Sequence, residues 1–227
     1  MKFTSKILTT ALLCATAAIS LPSCMKDNKA DEIFTGLVTV EPNESGTRFQ
    51  LNDSTSLIST NFDYKGKRTV RGLLNFSIVE NVENSRSMVN KYVKVYALDT
   101  ILTKKPAVDC GVDNPRVYGK DQIAIVNDWV NSGEDGYLTL RFRIGISNLN
   151  SSHMISLVNL GKDMNGYNFE FRHAANGDGI GQLVDGIIAF DLNELAPVDR
   201  SPVKLNIKWE GFNGPENASV KLTFRKK

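Results

Sequence analysis

The chain has 227 residues, with 27 basic against 25 acidic side chains, 2 histidines and 3 cysteines. That length can bury one large core or two small ones. The near-zero charge excludes the strong positive field that phosphate-backbone binding requires, so nucleic acid is not an expected partner.

In chain order, Lys2 and Lys6 come first, followed by a short apolar run made of Ile7, Leu8, Ala11, Leu12, Leu13, Ala15 and Ala18. Spanning a bilayer takes about 20 apolar residues. Thr9, Thr10 and Thr16 interrupt this run and Pro22 ends it, so residues 1–23 read as a cleaved signal peptide. Leu21-Pro22-Ser23-Cys24 resembles the lipobox of bacterial lipoproteins, with Cys24 as the residue that takes the lipid. Removing Lys2 and Lys6 leaves 25 basic and 25 acidic residues, a formally neutral mature chain. Cys14 leaves with the signal and Cys24 is acylated, which leaves Cys110 alone and no internal disulfide. Cys110 sits near Asp109 and Asp113, whose charges oppose a reactive thiolate.

Residues 24–32 are polar and of mixed charge, as a lipid tether requires. Beyond them the pattern is β. Strands are predicted at 34–41, 48–51, 68–80 and 92–103, separated by clusters of Asn, Asp, Gly and Ser. The group Lys65, Lys67, Arg68 and Arg71 beside Tyr64 reads as a solvated loop. Pro106, Gly111, Pro115 and Gly119 crowd a stretch with little apolar periodicity, so a linker is predicted at 106–120 between β domains at 33–105 and 121–227. Within the second, Leu138, Leu140, Phe142 and Ile144 alternate with Tyr137, Thr139, Arg141 and Arg143. Val203, Leu205, Ile207 and Trp209 alternate with lysines, Asn206 and Glu210, and Val220, Leu222 and Phe224 repeat the pattern. These predict antiparallel strands with one face in the core and one in water.

The lipobox, Phe49-Gln50-Leu51-Asn52-Asp53, Gly66-Lys67-Arg68-Thr69-Val70 and above all the run from Tyr92 to Lys104 carry a resemblance to the NigD-like lipoproteins of Bacteroidota. The resemblance implies an all-β chain: a small OB-like barrel followed by an immunoglobulin-like antiparallel β-sandwich. It implies a lipid-anchored protein of the cell envelope, at the outer membrane, with a link to bacteriocin gene clusters. It carries over no catalytic residue and no cofactor. One departure is the mixed run Lys26-Asp27-Asn28-Lys29-Ala30-Asp31-Glu32 where the family often has acidic residues, which leaves the membrane leaflet open.

Residue by residue, the chemistry is sparse. His153 and His173 lack the spacing of a zinc site. Ser151-Ser152-His153 forms no recognisable triad and reads as a turn. Asn176, Asp178, Gly179 and Asp185 fit part of a calcium loop, but Ala174 stands at its first ligand position, and Asn-Gly and Asp-Gly are hairpin-turn signals. Glu134-Asp135-Gly136 reads as a turn rather than an acid/base pair. Asp53-Ser54-Thr55 resembles a Bacteroidota O-glycosylation motif with Ser54 as acceptor, and Asp99-Thr100-Ile101 resembles it inside a predicted strand. Trp129, Tyr137 and Tyr167 are candidates for a ligand face, whereas Trp209 alternates with the core set. Together these describe a non-catalytic binding or accessory lipoprotein whose partner is an envelope protein or peptide. A glycan-binding surface lipoprotein is the alternative, because both fold types host oligosaccharides.

Lipid incorporation requires the Cys24 thiol. Cys24→Ala is therefore expected to abolish fatty-acid labelling and release the protein from membranes, and labelling at the wild-type level would refute the anchor.

Overall fold

A computed structural model describes residues 31–42, 47–79 and 90–225, so the signal sequence, Cys24 and most of the tether lie outside the described residues. The first five strands are β1 (Phe34–Glu41), β2 (Arg48–Gln50), β3 (Ser56–Ser59), β4 (Val70–Ile78) and β5 (Asn90–Lys104). They pair in the order β3-β2-β1-β4-β5, and a parallel pairing of β3 with β5 closes the ring into a five-stranded barrel. This closed order is the OB topology expected from the resemblance. Alternation explains its filling: Val38, Val40, Phe49, Leu57, Leu74, Phe76, Val93 and Val95 point inward and are buried.

Residues 106–120, expected as a linker, carry β6 (Ala107–Val108) and the helical turn α1 (Asn114–Tyr118), with Pro115 in its first turn. The remaining strands are β7 (Ala124–Ile125), β8 (Ser132–Glu134), β9 (Tyr137–Ile146), β10 (Met154–Asp163), β11 (Gly166–Ala174), β12 (Gln182–Asp191), β13 (Val203–Gly211) and β14 (Gly214–Leu222). They form a sandwich. One sheet runs β14-β13-β11-β10-β6; the other contains β12, β9, β7 and β8 and is continuous with the barrel through β5. Leu138, Leu140, Ile188 and Phe190 from one sheet meet Phe169, Phe171, Leu205 and Ile207 from the other. The sandwich is not purely antiparallel. After β11 the chain crosses to the opposite sheet as β12 and returns as β13, so β11 and β13 run parallel, with Tyr167 opposite Leu205 and Phe171 opposite Trp209.

The 15 residues of β5 span about 50 Å at a strand's rise. Its first part closes the barrel; its end pairs in parallel with β12, Ile188 opposite Leu102. Residues from 31 onward accordingly cluster as one compact unit. The junction corrects the expectation that alternate residues of β9 face water. Tyr137 and Thr139 are buried, because the outward face of β1 and β4 lies over them. There Leu37 and Ile101 pack with Ala189, flanked by Leu73 and Ile187. Arg71, expected in a solvated loop, lies in β4 and is 1% exposed: Nη1 donates to Thr39 Oγ1 at 2.9 Å and the guanidinium sits 5.9 Å from the Tyr137 ring centroid. Burial pulls the Arg71 pKa below the ordinary guanidinium value, against Glu134 and Asp135, which favour its charge. Arg225 closes the same junction. It grips Asp135 through Nε (2.9 Å) and Nη2 (2.6 Å) and reaches Glu41 of the barrel through Nη1 (2.7 Å).

Asp135 is 5% exposed, so removing its partner strands a charge out of water. Arg225→Met is expected to cost about 3 kcal/mol in urea unfolding. A second consequence concerns Tyr137, whose hydroxyl burial pushes up to about 12. Because the folded value is raised, stability is fully present below the ordinary phenol pKa near 10 and is lost as pH rises through about 12. Tyr137→Phe is expected to remove this late step from the ultraviolet titration.

Candidate functional site

The outer face of the five-stranded sheet β14-β13-β11-β10-β6 carries a row of polar side chains. Alternation builds it. With Tyr167, Phe169, Phe171, Leu205, Ile207 and Trp209 turned inward, Asn168, Glu170 and Arg172 of β11 stand outward beside Asn206, Lys208 and Glu210 of β13. On β14, Ser219, Asn217 and Pro215 oppose Asn206, Lys208 and Glu210.

One wall is the segment Gly119–Gln122, which crosses the end of the sheet. Asp121 N donates to His173 O (3.0 Å), Ile123 N donates to Glu210 O (2.9 Å), and Arg172 Nη1 donates to Gly119 O (2.9 Å). Pro115 of α1 continues this wall, and Pro215 and Glu216 form the other. Between them is an open groove of 590 Å³ with Glu170, Arg172, Lys208 and Glu210 on its floor. A second trough of 580 Å³ lies beyond Lys208, lined by Asn165, Asn168, Asn206, Asn217 and Ser219.

Electrostatics fix the floor. Glu170 accepts from Arg172 Nε at 2.5 Å and from Lys208 Nζ at 3.0 Å. Burial pushes its carboxyl up, but the bonds from Arg172 and Lys208 outweigh burial and hold it below the ordinary glutamate value. In the trough, Asn206 Nδ2 donates to Asn168 Oδ1 (3.2 Å) and Ser219 Oγ donates to Asn206 Oδ1 (3.0 Å). The face offers fixed charges, amides and hydroxyls, a chemistry of recognition.

The predicted ligand aromatics are not brought together. Trp129 is 61% exposed on the loop before β8. Tyr137 lies under Arg71 at the junction and presents no face to solvent, a correction with a plain cause: the barrel covers that part of β9. Tyr167 is half-buried against the core, its hydroxyl donating to Leu195 O at 3.4 Å. Trp209 is buried, with its indole Nε1 unpartnered. Ser54 sits in an exposed turn organised by Asn52 Oδ1, which accepts from Ser54 N (3.0 Å) and Thr55 N (2.9 Å). Asp99, Thr100 and Ile101 lie within β5. Cys110 is exposed, its Sγ 3.7 Å from Tyr118 Oη.

Asp178 and Asp185, read as parts of one loop, diverge. Asp178 accepts from Ser147 N and Asn148 N, while Asp185 lies in β12 between Arg141 and Arg143, whose hydrogen bonds hold its carboxyl at about 2. Among the described residues no group of three His, Cys, Asp or Glu side chains could hold a metal ion. Nor is any described helix long and apolar enough to cross a membrane. Sequence reasoning missed the meeting of His153 with His173. The signal was the β10–β11 hairpin register: Ile155 opposes His173, which brings residue 153 within reach of it.

Residues 106–224 match the family described as the NigD-like C-terminal beta sandwich domain. No curated protein sequence matches the chain. Among solved structures, it is similar to a toxin-related protein of Parabacteroides distasonis, at 28% identity over 85% of this chain and 94% of that one, with a TM-score of 0.70. Two others share the fold. A NigD-like immunity protein of Bacteroides caccae has 16% identity, covers 85% of this chain and 93% of that one, and has a TM-score of 0.58. A Bacteroides fragilis protein described as a lipoprotein has 11% identity, covers 86% and 99%, and has a TM-score of 0.58.

The wall of the groove tests the site's geometry. Gly119 has φ +84°, and a Cβ there would stand 2.2 Å from the His173 carbonyl oxygen. Gly119→Ala is expected to destabilise the fold by about 3 kcal/mol in urea unfolding. Gly111→Ala, at φ +61° with nothing within 4 Å, should cost only about 1–2 kcal/mol.

Proposed function

Because the chain belongs to the NigD-like family, we propose that it is a cell-envelope lipoprotein, held by a lipid on Cys24, that binds a protein or peptide partner without catalysing a reaction. The single observation that carries the partner reading is the groove over Glu170, Arg172, Lys208 and Glu210. Its Gly119–Gln122 wall is set by backbone hydrogen bonds and its floor by ion pairs, so the charges on the floor are held ready before a partner arrives. Lys208 is 60% exposed and keeps reach toward a carboxylate beyond its contact with Glu170. Alternating charges at fixed spacing select a complementary chain more than they add raw affinity.

The anchor rests on the lipobox and agrees with the description of the similar Bacteroides fragilis protein. The finer reading, bacteriocin immunity, draws on the immunity protein and the toxin-related protein whose folds this chain resembles. A second reading is supported by the trough: the row Asn168, Asn206, Ser219 and Asn217 supplies the donors and acceptors that a glycan's hydroxyls would meet.

Photo-crosslinking from native envelopes separates the two. A crosslinker at Lys208 or Glu216 is expected to trap a protein or peptide, while one at the fully exposed Val198 traps none. Lys208→Glu, with the crosslinker at Glu216, should lower the adduct at least tenfold. Adducts from Val198 alone would sink the groove reading. Adducts abolished by soluble oligosaccharide would favour the glycan.

A further inference from the structure

His153, just before β10, and His173, near the end of β11, are joined by a 2.8 Å contact between His153 Nδ1 and His173 Nε2. The chain of contacts extends both ways. His173 Nδ1 lies 3.0 Å from the Gln122 carbonyl oxygen, and His153 Nε2 lies 3.1 Å from Asp178 Oδ2. His173 is buried at 2% exposure, while His153 and Asp178 are half-buried residues whose side chains are 10% and 5% exposed.

Donors and acceptors count the protons. A carbonyl oxygen only accepts, so His173 Nδ1 carries hydrogen. Asp178 accepts from Ser147 N at 2.9 Å, Asn148 N at 3.2 Å and Gly179 N at 3.1 Å. Those bonds, that from Ser147 foremost, hold its carboxyl below the ordinary aspartate value. An ionised carboxylate also only accepts, so His153 Nε2 carries hydrogen as well. One more proton lies between the rings. The pair thus holds three protons on four nitrogens, a single positive charge facing Asp178. Two neutral imidazoles hold only two, and one of the three contacts then sets lone pair against lone pair.

We propose that His153 and His173 form a proton-operated clasp, which closes one rim of the sandwich when the pair holds its extra proton and loosens when that proton leaves. The clasp ties the segment 147–153, the crossing segment at Gln122 and the turn at 175–179 into one unit. The crossing segment is also a wall of the groove, so the proton sets the stiffness of that wall. The inference does not depend on the groove having a partner.

The charged groups facing the pair are Asp178 from the turn and Asp121 from the crossing segment, whose Oδ2 accepts from Ala175 N at 2.7 Å. From β10 the register neighbour of His173 is the apolar Ile155. Both carboxylates favour the charged pair and burial opposes it. Burial is the main reason that His173 titrates below the ordinary imidazole value, with the Gln122 carbonyl and the charge of Asp121 opposing it.

The sign follows from linkage. The closed rim binds one proton more than an open rim with two neutral imidazoles, so raising the pH past the ordinary imidazole range near 6.5 weakens it. The depressed His173 contributes in the other direction: its stabilisation is present above 6.5 and is lost as pH falls through its lower folded value. The pair titrates as a unit, so the clasp is closed between the lowered value of His173, below which a fourth ring proton opposes it, and the ordinary imidazole range near 6.5.

Amide hydrogen exchange on the full chain, expressed as protection factors, tests this. From pH 6 to pH 8.5 protection of residues 147–153 and 174–180 is expected to fall at least tenfold, while Tyr137–Ile146 in the core is unchanged. His153→Gln, which cannot titrate, should abolish the difference, as should Asp178→Asn. Nitrogen-15 spectra of the imidazoles at pH 6 should count three ring protons on the pair. Rim protection in the wild type that stays within twofold across that range overturns the clasp. So does an equal fall in His153→Gln, or a count of two protons.

Discussion

One strand, β5, belongs to two bodies at once, and most of the architecture follows from that constraint. Its first part completes the barrel through β3 and β4, and its last part extends the sandwich sheet through β12. A strand cannot bend freely while both edges are hydrogen-bonded, so the barrel is held against the outer face of β9 and β12 rather than swinging on a tether. The apolar contact of Leu37, Ile101 and Ala189 then buries what would otherwise be a solvated sheet face. Polar groups at the contact are partly matched: Arg225 pairs with Asp135 and Glu41, and Arg71 Nη2 lies 3.8 Å from Glu134, although Arg71 Nε and Nη2 have no hydrogen-bond partner among the described residues.

That contact also decides which sheet face stays open. The sheet containing β9 and β12 is covered on both faces at its Tyr137 end, by the core and by the barrel. The opposite sheet is covered on one, and its outer face keeps the charges and amides that alternation places there. The groove and the trough both lie on this face and meet at Lys208. The chain's crossing from α1 to β7 raises a wall across the sheet end, and Gly119 permits it because the backbone there passes against His173 and Ala174.

The same rim shows how a polar cluster arises from residues with no local motif. His153, His173 and Asp178 come from a strand start, a strand end and a turn, and converge because the β10–β11 hairpin returns the chain beside itself. Largely withdrawn from water, they take their hydrogen bonds from one another and from nearby backbone. Each ring nitrogen is therefore assigned by its neighbour, and the proton count of the pair is a property of the fold rather than of either residue.

How much was legible in the sequence depends on how local the cause is. Strands β1, β2, β4 and β5 fell where alternation and turn residues put them, because a pleated strand shows its two faces every second residue whatever surrounds it. The inward set of β13 was readable for the same reason. The resemblance to the NigD-like family needed no structure, being carried by linear motifs. Tyr137 shows the limit. Alternation assigned it to the outer face correctly, but whether an outer face meets water or another body depends on residues about 65 positions away in β4, and no local pattern carries that. Arg71 lay inside the predicted strand at 68–80, but grouping it with Lys65, Lys67 and Arg68 as solvated missed its burial, because a buried arginine is recognisable only from its partners. The two histidines, 20 residues apart, became a site only through hairpin register. Sequence determined which residues share a face of a strand, since that is set by covalent geometry. The tertiary structure alone decided which faces are covered and which side chains meet, since both depend on how distant segments pack.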